Sequence, residues 1–396
     1  NLTDVWVTLR ASSRGTVFGL YNESGRIRLP PFAMEAEFFG NYDPRAPDPF
    51  DYGSTELPPA CLSEQATTSI PQLFVMTARL MGFQMYDQLR HGIGTFERFS
   101  RAVPGARTVP ILVLDTSHRA LSTKRLAVLR PSQLGTGLAL TLLALGFDEE
   151  SFGQRIGWYQ RIDGHTGQVA MHGLSSQGAG RHPGQHSGLR CVRVGSVWGG
   201  HKLFKLRDRA SPVRLRRFRE AIGRTLRLAP NLGPNLGLEL GPDGSLAGSS
   251  PPAELGLFLL RRRGPRQILN EHALLASGWT GLKARLARES GVNLSFARLE
   301  TLSIAAQFDL VSRARLLIGN HGAGLTWAAM LPSAAHGEPR CAVLELYANA
   351  SADGLPVDIS HFAAANGVRY RALAQQTSPD CRGKLIRECG HIVVDV

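Results

Sequence analysis

One stretch, "LLIGNHGAGLTWAAMLP" (residues 316–332), places a histidine and glycines directly behind an apolar run. The apolar run predicts a buried strand, and the residues after the glycines predict a short helix that ends at the proline. Glycines let the backbone approach a ligand closely and a helix N-terminus favours an anion, so the stretch suits a diphosphate. His321 would add a side-chain donor to the backbone amides of Gly322, Ala323, Gly324 and Leu325. The alternative is a tight strand–helix turn that only requires small residues.

Further polar groups follow two other predicted strands. Arg262, Arg266 and Asn270 lie in "RRRGPRQILNE" (residues 261–271), and Glu345 lies near the end of "CAVLELY". Two guanidiniums four residues apart can hold phosphate oxygens, and a carboxylate can accept hydrogen bonds from ribose hydroxyls. We therefore predict that these residues bind a nucleotide. The alternatives are a solvated basic turn for the arginines and an ion pair with an arginine for Glu345.

These residues need a scaffold that brings strand ends together. From about residue 255 onward strands and helices alternate, which predicts a parallel sheet covered by helices. Earlier, "VPILVLD" and "LRCVRVG" predict two buried strands, and residues 72–99 have a helical pattern. We therefore predict an α/β fold of two Rossmann-like domains that face a cleft.

The length of 396 residues exceeds one ordinary core, so two domains are expected. Residues 1–60 are rich in proline, glycine and aromatic residues and predict an irregular N-terminal arm. We assign residues 61–210 to an N-terminal domain and residues 211–396 to a C-terminal domain that contains the nucleotide site. The repeat "NLGPNLG" and a high glycine and proline content predict a surface insertion at residues 229–252.

The chain carries a formal net charge of +13, from 45 Lys and Arg against 32 Asp and Glu. Such a balance favours anionic partners. The basic residues are spread along the chain, with no RNP-like, zinc-finger or Lys-rich tail pattern. We therefore expect a phosphate-bearing ligand and not a nucleic acid.

Four Asn-x-Ser/Thr sequons, which begin at Asn1, Asn22, Asn293 and Asn349, favour the secretory pathway. Glycosylation is expected at the last three. No apolar run reaches the ~18 to 20 residues that a membrane span needs. The chain starts without Met or a signal-like segment, so an anchor or signal was removed or never included. We expect a lumenal protein that contacts a membrane only through an anchor absent from this sequence.

The five cysteines form no CxxC pair and show no metal-ligand spacing with histidine, so no metal site is predicted. Cys381 and Cys389 flank a short polar loop, "CRGKLIREC". In an oxidising compartment they can form a disulfide, and two free thiols are the alternative.

The order of these motifs resembles glycosyltransferase family 61. The resemblance rests on "RRRGPRQILNE", "AAQFDLVSRARLLIGNHGAGLTWAAMLP", "VLELY" and "FAAANGVRYRAL", and it is strongest around His321. It implies a GT-B-like, inverting and metal-independent enzyme that needs no cofactor besides its donor. Such an enzyme would move xylose, N-acetylglucosamine or arabinose from a UDP-sugar to a protein or glycan hydroxyl in the Golgi or endoplasmic reticulum. The sequence agrees on one point, because it contains no Asp-x-Asp pair to hold a manganese-bound nucleotide sugar.

Inversion in one displacement needs a base for the acceptor hydroxyl, and the N-terminal domain would supply it. The segment "GFQMYDQL" resembles the one that holds a family acidic residue, which implies Asp87 as the base. The alternative is an ion pair between Asp87 and Arg90 at helical spacing. His201, in "WGGHKLF", is a weaker candidate for the same role.

Two other functions compete with a transferase. Gln84 and Met85 stand where family members often show Asn or His, which favours a relative that binds a nucleotide sugar or glycan without transfer. Hydrolysis or transfer of a UDP-sugar would distinguish the two. A basic nucleic-acid-binding protein is the third possibility, which steep salt dependence of oligonucleotide binding would support and the sequons disfavour.

Overall fold

The computed structural model of the protein describes most of the second half of the chain and separate parts of the first. The described residues are 2–12, 15–22, 25–26, 56–57, 59–62, 67–78, 85–102, 111–115, 136–147, 156–160, 190–199, 211–228, 254–260, 266–277, 279–332, 341–349, 358–382, 384 and 389–394. The chain divides into two compact units, Asn1–Phe204 and Lys205–Val396. The predicted insertion at residues 229–252 lies outside the described residues. No described helix is long and apolar enough to cross a membrane.

The described part of the first unit contains a seven-stranded sheet in the order β3-β2-β1-β7-β4-β5-β6. Its strands are β1 (Leu2–Ser12), β2 (Gly15–Asn22), β3 (Gly25–Arg26), β4 (Thr67–Ala78), β5 (Ile111–Asp115), β6 (Ile156–Gln160) and β7 (Arg190–Gly199). The β7-β4-β5-β6 part is parallel, and β1 pairs antiparallel with β2 and β7. Two helices accompany it, α1 (Met85–Ala102) and α2 (Thr136–Ala144).

Two expectations for the first unit are wrong. The N-terminal residues do not form only an irregular arm, because β1, β2 and β3 belong to the sheet. Residues 72–78 are not helical either, since β4 continues to Ala78 and the helix starts at Met85. In both cases the deciding factor is pairing with β7, which lies far along the chain and is invisible to a local pattern. A disulfide, Cys61–Cys191, also joins β7 to the short 3-10 helix Pro59–Leu62.

Helices α1 and α2 pack closely because glycines face the contact. A Cβ on Gly92 would lie 1.8 Å from Thr141 Oγ1, and a Cβ on Gly137 would lie 2.5 Å from Gln88 Cβ. The amide of Gly137 donates to Gln88 Oε1 at 3.1 Å, and Thr141 Oγ1 donates to the Gly137 carbonyl at 2.8 Å. The contact therefore leaves no volume for a side chain at either glycine.

The described part of the second unit contains a six-stranded sheet in the order β13-β12-β11-β10-β8-β9. Its strands are β8 (Glu254–Leu259), β9 (Val292–Ala297), β10 (Ala314–Asn320), β11 (Ala342–Ala348), β12 (Arg369–Thr377) and β13 (Ile392–Val393). Its α-helices are α3 (Ser211–Leu228), α4 (Glu271–Ser277), α5 (Thr280–Ser290), α6 (Ile304–Ser312) and α7 (Asp358–Ala365). All pairings are parallel except β12–β13. Both units combine strands and helices, so the predicted α/β class is confirmed.

The central strands of the second sheet form the core of that unit. Side chains from β8, β10 and β11, such as Phe258, Ile318 and Leu346, are buried together. Burying apolar area in this way stabilises the unit by roughly 25 cal/mol per Å². The parallel arrangement aligns the carboxyl ends of β8, β10 and β11 at one edge, which is where the predicted site residues follow.

Candidate functional site

Strand β10 delivers the glycine turn to this edge of the sheet. The His321 amide donates to the Leu346 carbonyl at 2.7 Å, which extends the β10–β11 ladder by one residue. The chain then turns at Gly322, whose φ of 151° and ψ of −179° lie in a region open essentially only to glycine. A 3-10 helix, Ala323–Met330, begins directly after it. We call it the site helix.

The turn offers backbone donors to an anion. The amides of Gly322 and Gly324 make no hydrogen bond to any residue that the structure describes. Among the described residues, a Cβ on Gly324 would meet only Leu259 Cδ1, at an ordinary contact distance of 3.9 Å. Leu325 differs from expectation, because its amide donates to the Gly322 carbonyl at 3.0 Å and closes the turn. Two such amides at a helix start suit an anion.

Arg266 lies against this turn, as the sequence predicted. The residue is only 9% exposed. A Cβ on Gly322 would lie 3.2 Å from Arg266 Nη1 and 3.7 Å from Cδ and Cζ. The missing side chain of Gly322 therefore leaves room for the guanidinium. Arg262, the other predicted phosphate ligand, lies outside the described residues.

His321 is held by a buried carboxylate. Its ring Nδ1 is hydrogen-bonded to Oε1 of Glu345, which is 0% exposed. An ionised carboxylate only accepts hydrogen bonds, so Nδ1 carries the proton. The other ring nitrogen, Nε2, makes no hydrogen bond within the described part of the chain. Nε2 is therefore the atom through which His321 can meet a ligand.

The second oxygen of Glu345 is also occupied. Tyr370 donates its hydroxyl to Oε2 at 2.5 Å. Burial, followed by this hydrogen bond and the carboxylate charge, raises the pKa of Tyr370 above its usual value. The phenol therefore stays protonated and remains a donor at neutral pH.

Glu345 does not have the environment expected for a ribose ligand. Neither of its oxygens faces solvent, and protein groups, His321 and Tyr370, hold both. The ion pair with an arginine, which was the alternative, is not formed among the described residues either. The sheet register explains this environment of Glu345. Glu345 lies opposite Gly319 of β10 and Ala372 of β12, so its side chain lies between small neighbours over the sheet.

Asn270 has contacts within the protein, and its predicted contact with a nucleotide stays a prediction. Its Oδ1 accepts from the Val394 amide at 3.0 Å, and its Nδ2 donates to the Val394 carbonyl at 2.6 Å. Both ends of the amide group are therefore used by the C-terminal segment, residues 389–394. The same segment holds Gln267, whose amide donates to His391 Nδ1 at 3.2 Å. Asn320 Nδ2 donates to the Gly390 carbonyl at 3.1 Å.

The C-terminal segment is fastened by a disulfide between Cys381 and Cys389, the pairing suggested by the sequence. With His391, these sulfurs make the one group of potential metal ligands found among the described residues. Because both thiols are oxidised, the group offers no thiolates to a metal.

The far end of the site helix rests on a buried polar network. Arg219 of α3 donates through Nη1 to the Leu331 carbonyl and, at 2.7 Å, to Asn366 Oδ1. Asn366 Nδ2 donates to the carbonyls of Ala328 and Leu331 at 2.8 Å. Burial lowers the pKa of Arg219 to about 10, so the guanidinium is still charged at neutral pH. This network fixes the orientation of the site helix.

The remaining predicted residues are placed only in part. Asp87 belongs to the first turn of α1, but the structure does not describe its side chain. His201 lies outside the described residues. Asn293 is exposed on β9, the edge strand of the second sheet, and Asn349 is exposed after β11. Asn22 is half-buried at the end of β2. The role of Asp87 and the glycosylation sites therefore stay predictions.

Four features were not predicted from the sequence: Tyr370, Arg219, Asn366 and the Cys61–Cys191 disulfide. Tyr370 could have been found by strand parity, since it lies on the same face of β12 as Ala372, the partner of Glu345. Finding it required the β11–β12 register, which nothing in the local sequence specifies. Asn366 and the disulfide depend on contacts between distant segments and leave no spacing signal.

A family comparison agrees with the motif at the turn. Residues 206–336 match the model of the family described as Glycosyltransferase 61. No curated protein matches the chain. One similar solved structure is "E. coli heptosyltransferase WaaC with ADP-2-deoxy-2-fluoro heptose", at 13% identity over 74% of this chain and 97% of that chain, with a TM-score of 0.22. The family match includes Arg266, His321 and the site helix. The family predicted from the motifs is thereby confirmed, and the chain carries a glycosyltransferase family 61 region at residues 206–336.

Proposed function

We propose that the protein is an inverting, metal-independent glycosyltransferase that moves a sugar from a UDP-sugar to a hydroxyl of a protein or glycan. One observation carries the proposal: the guanidinium of Arg266 lies against Gly322, and the amides of Gly322 and Gly324 have no partner among the described residues. A buried cation and converging N–H groups are what a diphosphate requires. Xylose, N-acetylglucosamine and arabinose remain the candidate sugars.

In the proposed reaction the acceptor oxygen attacks the anomeric carbon of the donor sugar. The bond from that carbon to the diphosphate oxygen breaks, and its electron pair leaves with UDP. Arg266 and the amides of Gly322, Ala323 and Gly324 would stabilise the charge that develops on the diphosphate. Arg262 is proposed as a second cation on the same group. These groups would perform the work that a metal performs in other transferases.

His321 is proposed as a further donor to the diphosphate. When the ring is protonated, Glu345 stabilises the cation and Nε2–H can donate to a phosphate oxygen. Hydrogen bonds to a charged partner are about twice as strong as neutral ones. The acceptor hydroxyl must lose its proton to another group, and Asp87 of α1 is the proposed base.

We propose a lumenal setting for the enzyme. The disulfides Cys61–Cys191 and Cys381–Cys389 and the exposed sequon asparagines Asn293 and Asn349 support it, since disulfides persist in oxidising compartments. Expression in a secretory host, followed by peptide N-glycosidase, should lower the apparent mass. Asn293→Gln should remove one glycan, and a mobility unchanged by the glycosidase would refute the lumenal assignment.

The decisive experiment combines binding with turnover. UDP affinity is measured by calorimetry, and a panel of UDP-sugars is tested for hydrolysis and for transfer to glycan acceptors in excess EDTA. Arg266→Ala should weaken UDP binding roughly tenfold or more, the range for a hydrogen bond to a charged group. Arg285→Ala is the matched control, because Arg285 is exposed and pairs only with the helix neighbour Glu289 among the described residues. Asp87→Asn should abolish transfer and keep UDP affinity.

Each outcome selects one function. Transfer in EDTA supports the proposal, and transfer that requires manganese refutes metal independence. UDP binding without hydrolysis or transfer favours a relative that only binds the nucleotide sugar. Equal UDP affinity in Arg266→Ala and wild type would show that the turn is not the donor site.

A further inference from the structure

We infer that Tyr370 is a positioning residue of the proposed donor site, which acts through Glu345 to hold the His321 ring with Nδ1 protonated and Nε2 available. The importance of Tyr370 for sugar transfer rests on the proposed function. The hydrogen-bond chain from Tyr370 through Glu345 to His321 is independent of that proposal. Tyr370 is linked to His321 by the hydrogen bonds that both make to Glu345. It acts on a ligand only through the carboxylate and the ring.

The sheet places the three side chains in one diagonal row. Gly319 of β10, Glu345 of β11 and Ala372 of β12 are register partners. His321 lies two residues after Gly319, and Tyr370 lies two residues before Ala372. Because side chains alternate between faces, the ring and the phenol lie on the face of Glu345. They reach its two oxygens from opposite ends, the ring at Oε1 and the phenol at Oε2.

Two anchors hold the carboxylate in a way that one cannot. A single hydrogen bond would leave the group free to rotate about its terminal torsion, which is broad and has no sharp minimum. With Tyr370 on Oε2, rotation would cost that hydrogen bond in a fully buried site. The fixed carboxylate then fixes the ring, as outer partners do for ligating histidines in metal sites.

The chain also provides a matched control. Tyr347 lies two residues after Glu345 on the same strand and is close enough to influence Tyr370 electrostatically. Its hydroxyl makes no hydrogen bond to any residue that the structure describes. Tyr347→Phe therefore removes a nearby phenol hydroxyl without touching the Glu345 carboxylate.

The test is a spectrum of the histidine rings in the full chain, labelled with ¹⁵N-histidine. The His321 signals are assigned by their loss in His321→Gln. In wild type we expect the Nδ1–H tautomer with a ring proton that exchanges slowly with solvent. In Tyr370→Phe we expect about tenfold faster exchange, from the loss of a hydrogen bond to a charged group, and a populated Nε2–H tautomer. Tyr347→Phe should match wild type.

Two results would overturn the inference. One is a His321 spectrum in Tyr370→Phe equal to that of wild type, with thermal unfolding unchanged. The other is an Nε2–H tautomer in wild type itself, which needs no variant to fold. Calorimetry then separates this inference from the proposed function: Tyr370→Phe should bind UDP roughly tenfold more weakly, as for other outer partners. Wild type that shows the expected ring spectrum but binds no UDP would refute the donor site and leave the positioning role in place.

Discussion

Two regions of the molecule require glycine for different physical reasons. At the α1–α2 contact, a Cβ on Gly92 would lie 1.8 Å from Thr141 Oγ1, so the glycine is required by lack of space. At the turn after β10, Gly322 has a φ of 151°, so the glycine is required by the backbone conformation. The first glycine lets two helices pack closely, and the second lets the chain turn after β10.

Gly324 fits neither reason. Its φ is not in the region that favours glycine, and a Cβ there would meet only Leu259 Cδ1 at an ordinary 3.9 Å. The fold of the described residues therefore does not explain why this position lacks a side chain. A ligand that approaches the Gly324 amide would explain it, and the contrast with Gly92 and Gly322 makes that explanation testable.

The largest effect is expected at the helix contact. Gly92→Ala should lower the free energy of unfolding by about 3 kcal/mol, because the new methyl group overlaps Thr141 and overpacking is costly. Urea unfolding followed by circular dichroism measures it. Adding Thr141→Ala should recover only part of the loss, since Thr141 Cβ would still lie at 3.0 Å. The UDP affinity of folded Gly92→Ala should stay unchanged. A free energy of unfolding for Gly92→Ala equal to that of wild type would contradict the packing requirement.

Gly322→Ala should affect both stability and binding. Strain in its backbone region should cost about 2 kcal/mol of unfolding free energy. The methyl group would also press on Arg266 Nη1 at 3.2 Å, so UDP affinity should fall more than about tenfold.

The matched control for Gly322→Ala is Gly291→Ala. Gly291 has a φ of 66° with open space around it, and it precedes β9 at the amino edge of the sheet. The variant Gly291→Ala should have a lower free energy of unfolding because of backbone strain, but its UDP affinity should stay at the wild-type value. Equal loss of UDP affinity in the two variants would mean that general destabilisation, and not Arg266, explains the effect.

The sequence predicted the parts of the fold whose signals are local. Helix α3 spans Ser211–Leu228 as expected, because its apolar period and its start at Ser211 and Pro212 are read within a few turns. Strands β8, β10 and β11 are short apolar runs and were also expected. Strand β4 was not, since residues 72–78 owe their strand conformation to pairing with β5 and β7.

In the candidate site, too, features with local sequence signals were predicted, and features that depend on strand pairing were not. The proximity of Arg266 and Gly322 follows from parallel strands whose ends meet at one edge, and the sequence was sufficient for it. The contacts of Glu345 and Asn270 within the protein could not be predicted from the sequence, because their partners, Tyr370 and Val394, come from segments that pair only in the folded chain. Residue type indicated polar chemistry correctly, but the register decided which polar groups remain available.

Substitutions at Gly324 should affect binding without affecting the fold. The free energy of unfolding of Gly324→Ala should lie within about 0.5 kcal/mol of the wild-type value, because the new Cβ has ordinary contact distances to the described residues. Gly324→Val should reduce UDP affinity by about tenfold through a bulkier group at the amide, a loss of about 1.4 kcal/mol. Calorimetry with UDP and thermal unfolding on both variants check this. Normal UDP affinity in folded Gly324→Val would mean that no ligand approaches this amide.

A small effect of opposite sign, a gain in stability, is expected for a glycine that neither space nor backbone angle requires. Gly223 lies in the interior of α3, and a Cβ there would meet nothing within 4 Å. Gly223→Ala should therefore raise the free energy of unfolding by about 0.5 to 1 kcal/mol, since glycine costs more backbone entropy than alanine in a helix. Urea unfolding measures this gain, which is the reference for the other glycine substitutions. If Gly223→Ala were destabilising, crowding around α3 would have been underestimated, and the small effect expected for Gly324→Ala could no longer be attributed to open space.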